Sequence, residues 1–229
     1  MINNISSAAS SRLRLLLAFS VGGLLGDVFL HLLPEAWART YPSHDANLAL
    51  GLWVVIGLFT FTSLEVFFSC KKQEGEQVNS NVTGYLNVLA NGIDNFSHGL
   101  AVAASFLVGV KFGILTTIAI VLHEIPHEFG DFAILLKSGF SKWEAAKAQM
   151  STASIGLVGA AVALTAESAD VIDSKTGWIL PFTAGGFLHI SMVSILPELV
   201  REDNPRESLK QILAVASGIA VMALVNLFH

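Results

Sequence analysis

Apolar residues fill most of this chain in long runs, and short polar segments separate the runs. The runs are broader than the apolar stripe of an amphipathic surface helix, and a run of about 18 or more apolar residues is typical of a helix that crosses a membrane. The pattern predicts seven membrane-spanning helices in one domain. Their predicted bounds are residues 13–33, 48–69, 85–108, 112–136, 143–166, 178–200 and 209–228, and the domain covers residues 1–229. Among the connections, residues 70–83 are predicted to form a polar linker and residues 167–176 a short acidic loop.

The composition agrees with an all-α, polytopic integral membrane protein. Hydrophobic residues make up 53% of the chain and charged residues only 14%, whereas soluble domains carry about 25% charged residues. The chain contains one cysteine, Cys70, which excludes an internal disulfide and a cysteine-based zinc site.

The basic residues predict the orientation of the seven spans. Positively charged residues accumulate on the cytosolic side of membrane proteins. With a cytosolic N-terminus, ten of the 13 Lys and Arg residues fall on that side, and three (Arg39, Lys111 and Lys175) fall on the other. We therefore expect the N-terminus to lie in the cytosol.

Two predicted helices carry ionisable side chains at a depth where a hydrocarbon environment makes them costly. Asp94 and His98 are four residues apart in the third span and share one helix face. His123 and His127 have the same spacing in the fourth span, and only residues 109–111 separate the two spans, which predicts an antiparallel pair. Each cluster lies roughly 14 Å from the start of its span, so both are expected near the middle of the membrane, where they can meet.

A cluster of this kind needs a compensating partner, because each ionisable group at that depth costs at least about 2.5 kcal/mol. Ion pairing explains one buried His–Asp pair, but a divalent cation explains so many groups better. Imidazole and carboxylate together bind zinc, and also ferrous iron and manganese. The predicted metal ligands, including flanking residues that would form a second oxygen-rich site or orient the first, are Asp94, Asn95, His98, His123, Glu124, His127 and Glu128.

The first span carries a row of polar residues of its own. Asp27, His31 and Glu35 follow one another at intervals of four residues and therefore lie on one helix face. Such a row predicts a path by which an ion approaches or leaves the cluster. Solvation near the membrane surface explains His31 and Glu35 equally well.

Other buried polar residues have simpler explanations. Asp131, one turn after His127, is expected to orient a histidine rather than to bind metal. Glu65 and His189 are isolated within their spans, so a hydrogen-bonded core position explains each of them better than metal ligation. Pro126 lacks an N–H group and predicts a kink in the fourth span.

Two segments of the chain resemble one another. Gly22-Gly23 precedes Leu33-Pro34-Glu35, and Gly185-Gly186 precedes Leu196-Pro197-Glu198 at the same spacing. The two segments lie in spans that run in opposite directions, and inverted repeats of this kind are common in transporters. A chance likeness explains the pattern equally well.

An enzyme is the main alternative to a transporter. His123, Glu124 and His127 match the H-E-x-x-H pattern, in which two histidines hold zinc and the glutamate acts as a general base. An intramembrane zinc metalloprotease would carry this pattern on a buried helix. Against it, Pro126 distorts the helix, and the ligands of the preceding span would fill the coordination position that hydrolysis requires.

The metal-ligand segments also resemble a known family. The run His123-Glu-Ile-Pro-His-Glu128 resembles the H-E-x-P-H-E motif of the ZIP (Zrt/Irt-like) metal transporters, and Asp94-Asn-Phe-Ser-His-Gly99 is similar to the matching segment in an intracellular branch of that family. A sister branch has the Asp and the His exchanged. The likeness extends from about Leu15 to the end of the chain.

The resemblance implies zinc transport into the cytosol through a binuclear centre, from the lumen of the endoplasmic reticulum, the Golgi apparatus or related vesicles. It also implies a homodimer and an elevator-like movement, and it implies that the protein is a transporter and not an enzyme. The primary and second sites that it implies are Asp94, His98, His123 and His127, and Asn95 and Glu124, with His127 bridging them. The family has eight spans, so the first family helix is expected to be missing here, which would affect transport more than metal binding.

Overall fold

The computed structural model of the chain describes residues 2–39, 44–70, 79–166 and 169–226. Within these ranges the chain forms ten α-helices and two π-helical segments, with no strand. The α-helices are α1 (Ile2–Asp27), α2 (Leu33–Arg39), α3 (His44–Cys70), α4 (Asn79–Val108), α5 (Val110–Lys137), α6 (Lys142–Ala163), α7 (Ala169–Thr176), α8 (Ile179–Leu188), α9 (Leu196–Val200) and α10 (Pro205–Asn226). The first π segment is Val28–Leu32 and the second is His189–Ile195.

The long helices correspond to the predicted spans. α1, the first π segment and α2 follow one another without a break, as do α8, the second π segment and α9. α4, α5 and α6 are 30, 28 and 22 residues long. The all-α class is confirmed, whereas the count of seven membrane crossings stays a prediction. By length and hydropathy, the described stretches able to cross a membrane are Ser11–Ala38, His44–Ser69, Ile179–Val200 and Pro205–Asn226.

The outer surface of the helices is strongly apolar. Phe59 of α3, Leu157 of α6 and Leu213 of α10 are each more than 60% exposed. Apolar surface on this scale is typical of a protein that contacts lipid. The polar side chains of α4 and α5 instead point inward, where α1, α6 and α8 contact these two helices.

Glycines set the distance between α4 and α6. A Cβ atom on Gly99 would lie 1.9 Å from the carbonyl oxygen of Gly156, and one on Gly159 would lie 2.2 Å from that of Phe96. Because no side chain fits at these distances, the two backbones are in direct contact. The small residues of α6 therefore allow the close helix packing that is usual in membranes, and they fix the position of α4.

The two similar segments have matching structures. Residues 22–35 and residues 185–198 each contain π-helical backbone directly before the Leu-Pro-Glu sequence. A Cβ atom on Gly22 would lie 2.0 Å from a carbonyl oxygen of α10, and one on Gly185 would lie 2.2 Å from a carbonyl oxygen of α3. The shared geometry favours an internal repeat over a chance likeness.

One predicted loop is wrong. Residues 167–176 were expected to be irregular, but Ala169–Thr176 form the short helix α7, and residues 167–168 lie outside the described ranges. Ile172 of this helix is buried in a small apolar cluster with Leu100. The local sequence is polar and does not predict this contact with a distant helix.

Helix boundaries differ from the predictions at two further points, whereas α5 continues through Pro126 as one helix, so the kink predicted there stays a prediction. α10 begins at Pro205, four residues before the predicted span, because proline suits the first turn of a helix, where its N–H is not needed. α4 begins at Asn79, and residues 71–78 of the predicted linker lie outside the described ranges.

Candidate metal centre

Side chains of α4 and α5 meet in the interior of the helix group. Asp94 and His98 of α4, with His123 and Glu124 of α5, offer ligand atoms that all lie within 4.8 Å of one another. Asp94 is fully buried, and His98 and His123 are 7% and 4% exposed. Donors about 2.1 Å from zinc lie about 3.4 Å apart in a tetrahedral site. A small inward movement would therefore bring the four groups to coordination distance.

The continuous helix formed by α1 and the first π segment, called α1 from here on, contributes two further donors to the same region. One oxygen of Asp27 lies 3.2 Å from Nε2 of His123, and the other lies 4.0 Å from Nε2 of His127. The ring centres of His31 and His123 are 4.6 Å apart. Since both α1 residues group with α4 and α5 donors, the structure places them within the cluster, whereas the sequence predicted only a path there. The additional groups of close donors are His31, His98 and His123, and Asp27, Asp94 and His127.

The first π segment begins directly after Asp27 and contains His31. A π-helix has one extra residue in its turn, and π-helical segments often occur at functional sites. This segment lies where the two α1 donors face the α4–α5 pair. The cluster therefore has π-helical backbone directly beside it, at Val28–Leu32.

The cluster holds more buried charge than its hydrogen bonds satisfy. Neither carboxylate oxygen of Asp27, Asp94 or Asp131 has a hydrogen-bond partner among the described residues. Their neighbouring histidine nitrogens lie 3.2 to 4.0 Å away, so these buried carboxylates lack the hydrogen bonds that would offset the cost of their burial. A cation bound among these groups would offset that cost.

The predicted ligand Glu124 contacts a histidine directly. Its Oε1 atom lies 2.8 Å from Nδ1 of His98, and the other ring nitrogen of His98 lies 3.9 Å from Asp94. His98 therefore lies between two carboxylates. This arrangement of one imidazole and two carboxylates suits a divalent cation.

Asn95 and Glu128 occupy different positions from the other predicted ligands. The Asn95 amide donates to the carbonyl oxygen of Asn91 at 3.1 Å and to its side-chain oxygen at 2.5 Å. The Glu128 carboxylate accepts hydrogen bonds from Gln149 of α6 and, at 3.5 Å, from Asn91. Glu128 therefore links α5 to α4 and α6 in this conformation and lies outside the three groups of close donors.

Two carboxylates lie beside histidines at the edges of the cluster. Asp131 is 3.6 Å from Nδ1 of His127, a position from which it can orient the ring. Glu35 is 3.5 Å from Nε2 of His31, four residues before it. The orienting role expected for Asp131 and the path-lining role expected for Glu35 stay predictions.

A cavity of about 290 Å³ leads to the cluster from one end of the helices. His31 and His98 line its inner part, Glu35 lies on its wall, and Val108 and Thr176 mark the end at which α4 and α7 finish. Because two of the candidate ligands face this cavity, the cluster is accessible from that end.

A larger cavity of about 940 Å³ lies toward the opposite end, beside Lys137 and Glu198. No residue of the three groups of close donors lines it. Glu65 and His189, each isolated in the sequence, meet at its wall, with Oε2 2.6 Å from Nε2. Their separation of 124 positions along the chain explains why the sequence pattern did not predict this pair.

The comparisons with known proteins agree with the metal-binding chemistry of the site. The ZIP zinc transporter family model matches residues 1–80 and 69–226. A zinc transporter ZIP13 of Pongo abelii is 54% identical over 231 residues, which cover 97% of this chain and 70% of the relative. The Homo sapiens zinc transporter ZIP13 is 47% identical over 97% of this chain and 73% of the relative. A Drosophila melanogaster zinc transporter ZIP13 homolog is 46% identical over 96% of this chain and 79% of the relative.

Proposed function

Because the chain belongs to the ZIP zinc transporter family, we propose that it carries zinc across a membrane through the cluster formed by α1, α4 and α5. The observation that supports this most strongly is the convergence of two unsatisfied, fully buried carboxylates, Asp27 and Asp94, on three histidines. Nitrogen and oxygen donors together suit zinc. Iron or manganese transport through the same donors is the alternative for the metal.

The proposed ligands come from three helices. Asp94 and His98 of α4 bind together with the α5 residues, and Asp27 and His31 of α1 complete the coordination as the ion enters or leaves. Asn95 is proposed as a second-site ligand and Glu128 as a residue that faces the ion only after a rearrangement of α5. The α5 ligands in this proposal are His123, Glu124 and His127.

The two cavities support a direction of transport. With a cytosolic N-terminus and seven crossings, the cavity beside Glu35 faces away from the cytosol and the cavity beside Lys137 faces it. Zinc would bind from the first cavity, exchange its water for protein ligands, and leave toward the cytosol after the helices move. We propose a Golgi or endoplasmic reticulum membrane as the location and a homodimer as the assembly, as the family resemblance implies.

The protease alternative has no support from the site. Members of this family are transporters and not enzymes. Glu124 lies 2.8 Å from His98, within a group of four donors, whereas a hydrolytic zinc site keeps one coordination position for water. The H-E-x-x-H match is therefore better explained as part of a cation path.

Zinc flux into vesicles that contain the purified protein tests the proposal. We expect His127→Ala to abolish most of the flux, because it removes a buried donor that lies 4.0 Å from Asp27. His44→Ala is a matched control, since the His44 side chain is 93% exposed at the start of α3. Equal flux in the two variants would exclude the cluster as the transport site, and parallel flux with iron and manganese would decide the metal.

A further inference from the structure

A second polar group lies away from the cluster, between α3 and the second π segment. His189 is fully buried, and its Nε2 atom lies 2.6 Å from the Glu65 carboxylate. The Ser194 hydroxyl donates to the same carboxylate oxygen at 3.2 Å. Thr62 lies 3.0 Å from the other ring nitrogen of His189. Two helical elements thus present an imidazole, a carboxylate and a hydroxyl to one point.

We propose that Glu65, His189 and Ser194 form a second cation-binding site that accepts a divalent transition-metal ion such as zinc. The donor set of one imidazole nitrogen and two kinds of oxygen is suitable for zinc, with water completing the coordination. None of these residues belongs to the three groups of close donors in the central cluster. As a step on the path of transported zinc, the site depends on the proposed function, but as a binding site it does not.

The hydrogen bonds of Thr62 favour a positive charge at this point. The Thr62 hydroxyl lies 2.8 Å from the Leu58 carbonyl oxygen, and it has a single hydrogen to donate. When that hydrogen is directed to Leu58, as hydroxyls on helices commonly do, Thr62 accepts from Nδ1 of His189. The Nε2 atom then faces the Glu65 carboxylate without a hydrogen of its own, so a proton or a metal ion must lie between the two atoms. A metal-bound histidine is held in the same way, by a hydrogen bond at its other nitrogen.

The site is open to a large cavity. Glu65, His189 and Ser194 line the cavity of about 940 Å³ that contains Lys137 and Glu198. The Glu65 side chain is 25% exposed, although His189 itself is buried. A hydrated ion in the cavity can therefore reach the carboxylate first and exchange its water for the imidazole.

The same helix connects this site to the central cluster. Phe187 is fully buried two residues before His189, and its ring centre lies 5.1 Å from that of His127. A change in the position of His127 therefore acts on the helix that holds His189. Within the proposed transport cycle, this site would receive the ion on the Lys137 side after the central cluster releases it.

Cobalt binding to the purified full-length chain tests the proposal, because Co²⁺ replaces zinc and reports its ligands by visible absorption. The parent for this test is the variant His31→Ala, His98→Ala, His123→Ala, His127→Ala, which removes the four imidazoles of the central cluster. We expect the parent to retain one Co²⁺ per chain. Adding Glu65→Gln should weaken this binding at least tenfold. A parent that binds no Co²⁺ would overturn the proposal.

Glu198→Gln in the same parent is the matched control, since Glu198 lines the same cavity but pairs with Lys137. It should leave binding unchanged, and equal losses in the two variants would mean that only the charge of the cavity attracts the ion. Should Glu65→Gln fail to fold, X-ray absorption of the zinc-loaded parent decides the question. One imidazole among oxygen donors supports the site, and a shell without an imidazole or with several contradicts it. Flux that is insensitive to His127→Ala would contradict the transport proposal and leave this binding result intact.

Discussion

Replacement of Asp27 by asparagine tests the contribution of α1 to the central cluster. Asp27 is fully buried, and its oxygens lie 3.2 Å from Nε2 of His123 and 4.0 Å from Nε2 of His127. A zinc ion about 2.1 Å from Nε2 of His123 would lie no more than about 5 Å from the carboxylate. The substitution keeps the shape of the side chain and removes its charge.

The structure gives a lower bound for the effect. A unit charge and a divalent ion about 5 Å apart attract each other by about 1.7 kcal/mol even in the dielectric of bulk water, which is about a 15-fold change in affinity. The buried site screens charge less than water does. We therefore expect Asp27→Asn to weaken zinc binding by at least about 15-fold.

Two measurements on the purified protein check this expectation. Chelator competition gives the zinc affinity, with Asp45→Asn as the control because the Asp45 side chain is fully exposed on α3. Thermal unfolding of the metal-free protein is the second measurement, and it shows whether the variant still folds when the carboxylate beside His123 and His127 is replaced. Zinc affinity within threefold of wild type would refute the assignment of Asp27 to the cluster.

Two further substitutions test the packing around the cluster. Gly99→Ala should destabilise the protein by about 1–3 kcal/mol in denaturant unfolding, because the new Cβ would lie 1.9 Å from a carbonyl oxygen of α6. Gly23→Ala is the control and should be neutral or stabilising, because nothing lies within 4 Å of its new Cβ. Equal effects of the two substitutions would contradict the close α4–α6 contact. Gln149→Ala removes the hydrogen bond to the Glu128 carboxylate, so we expect the free energy of unfolding to fall by about 1–3 kcal/mol. An unchanged free energy of unfolding would show that this hydrogen bond does not stabilise the protein.

The periodicity of the α-helix was enough to predict, from the sequence, which residues of α4 and α5 share a face. Asp94 and His98 lie one turn apart on α4, and His123 and His127 lie one turn apart on α5. The short connection at Gly109 requires the two helices to lie side by side. From these facts alone the two faces were expected to meet, and the donors of α4 and α5 do lie together.

Two roles were not predictable in the same way. Glu128 has the same spacing from Glu124 as the paired histidines have, yet its carboxylate contacts Gln149 of α6. Which neighbour a side chain meets depends on which helix packs against that face. The pair of Glu65 and His189 is similar, since neither residue has a partner within its own span.

By itself, then, the sequence determined the helices, their apolar surfaces and the two faces that carry donors, because these depend on composition and on a repeat of 3.6 residues along one helix. The tertiary structure decided that Asp27 and His31 join those donors and that the cluster opens toward only one of the two large cavities. These features depend on contacts between helices far apart in the chain. Such contacts are set by the fit of whole helix surfaces, including glycines that allow backbones to touch, and no local pattern records that fit.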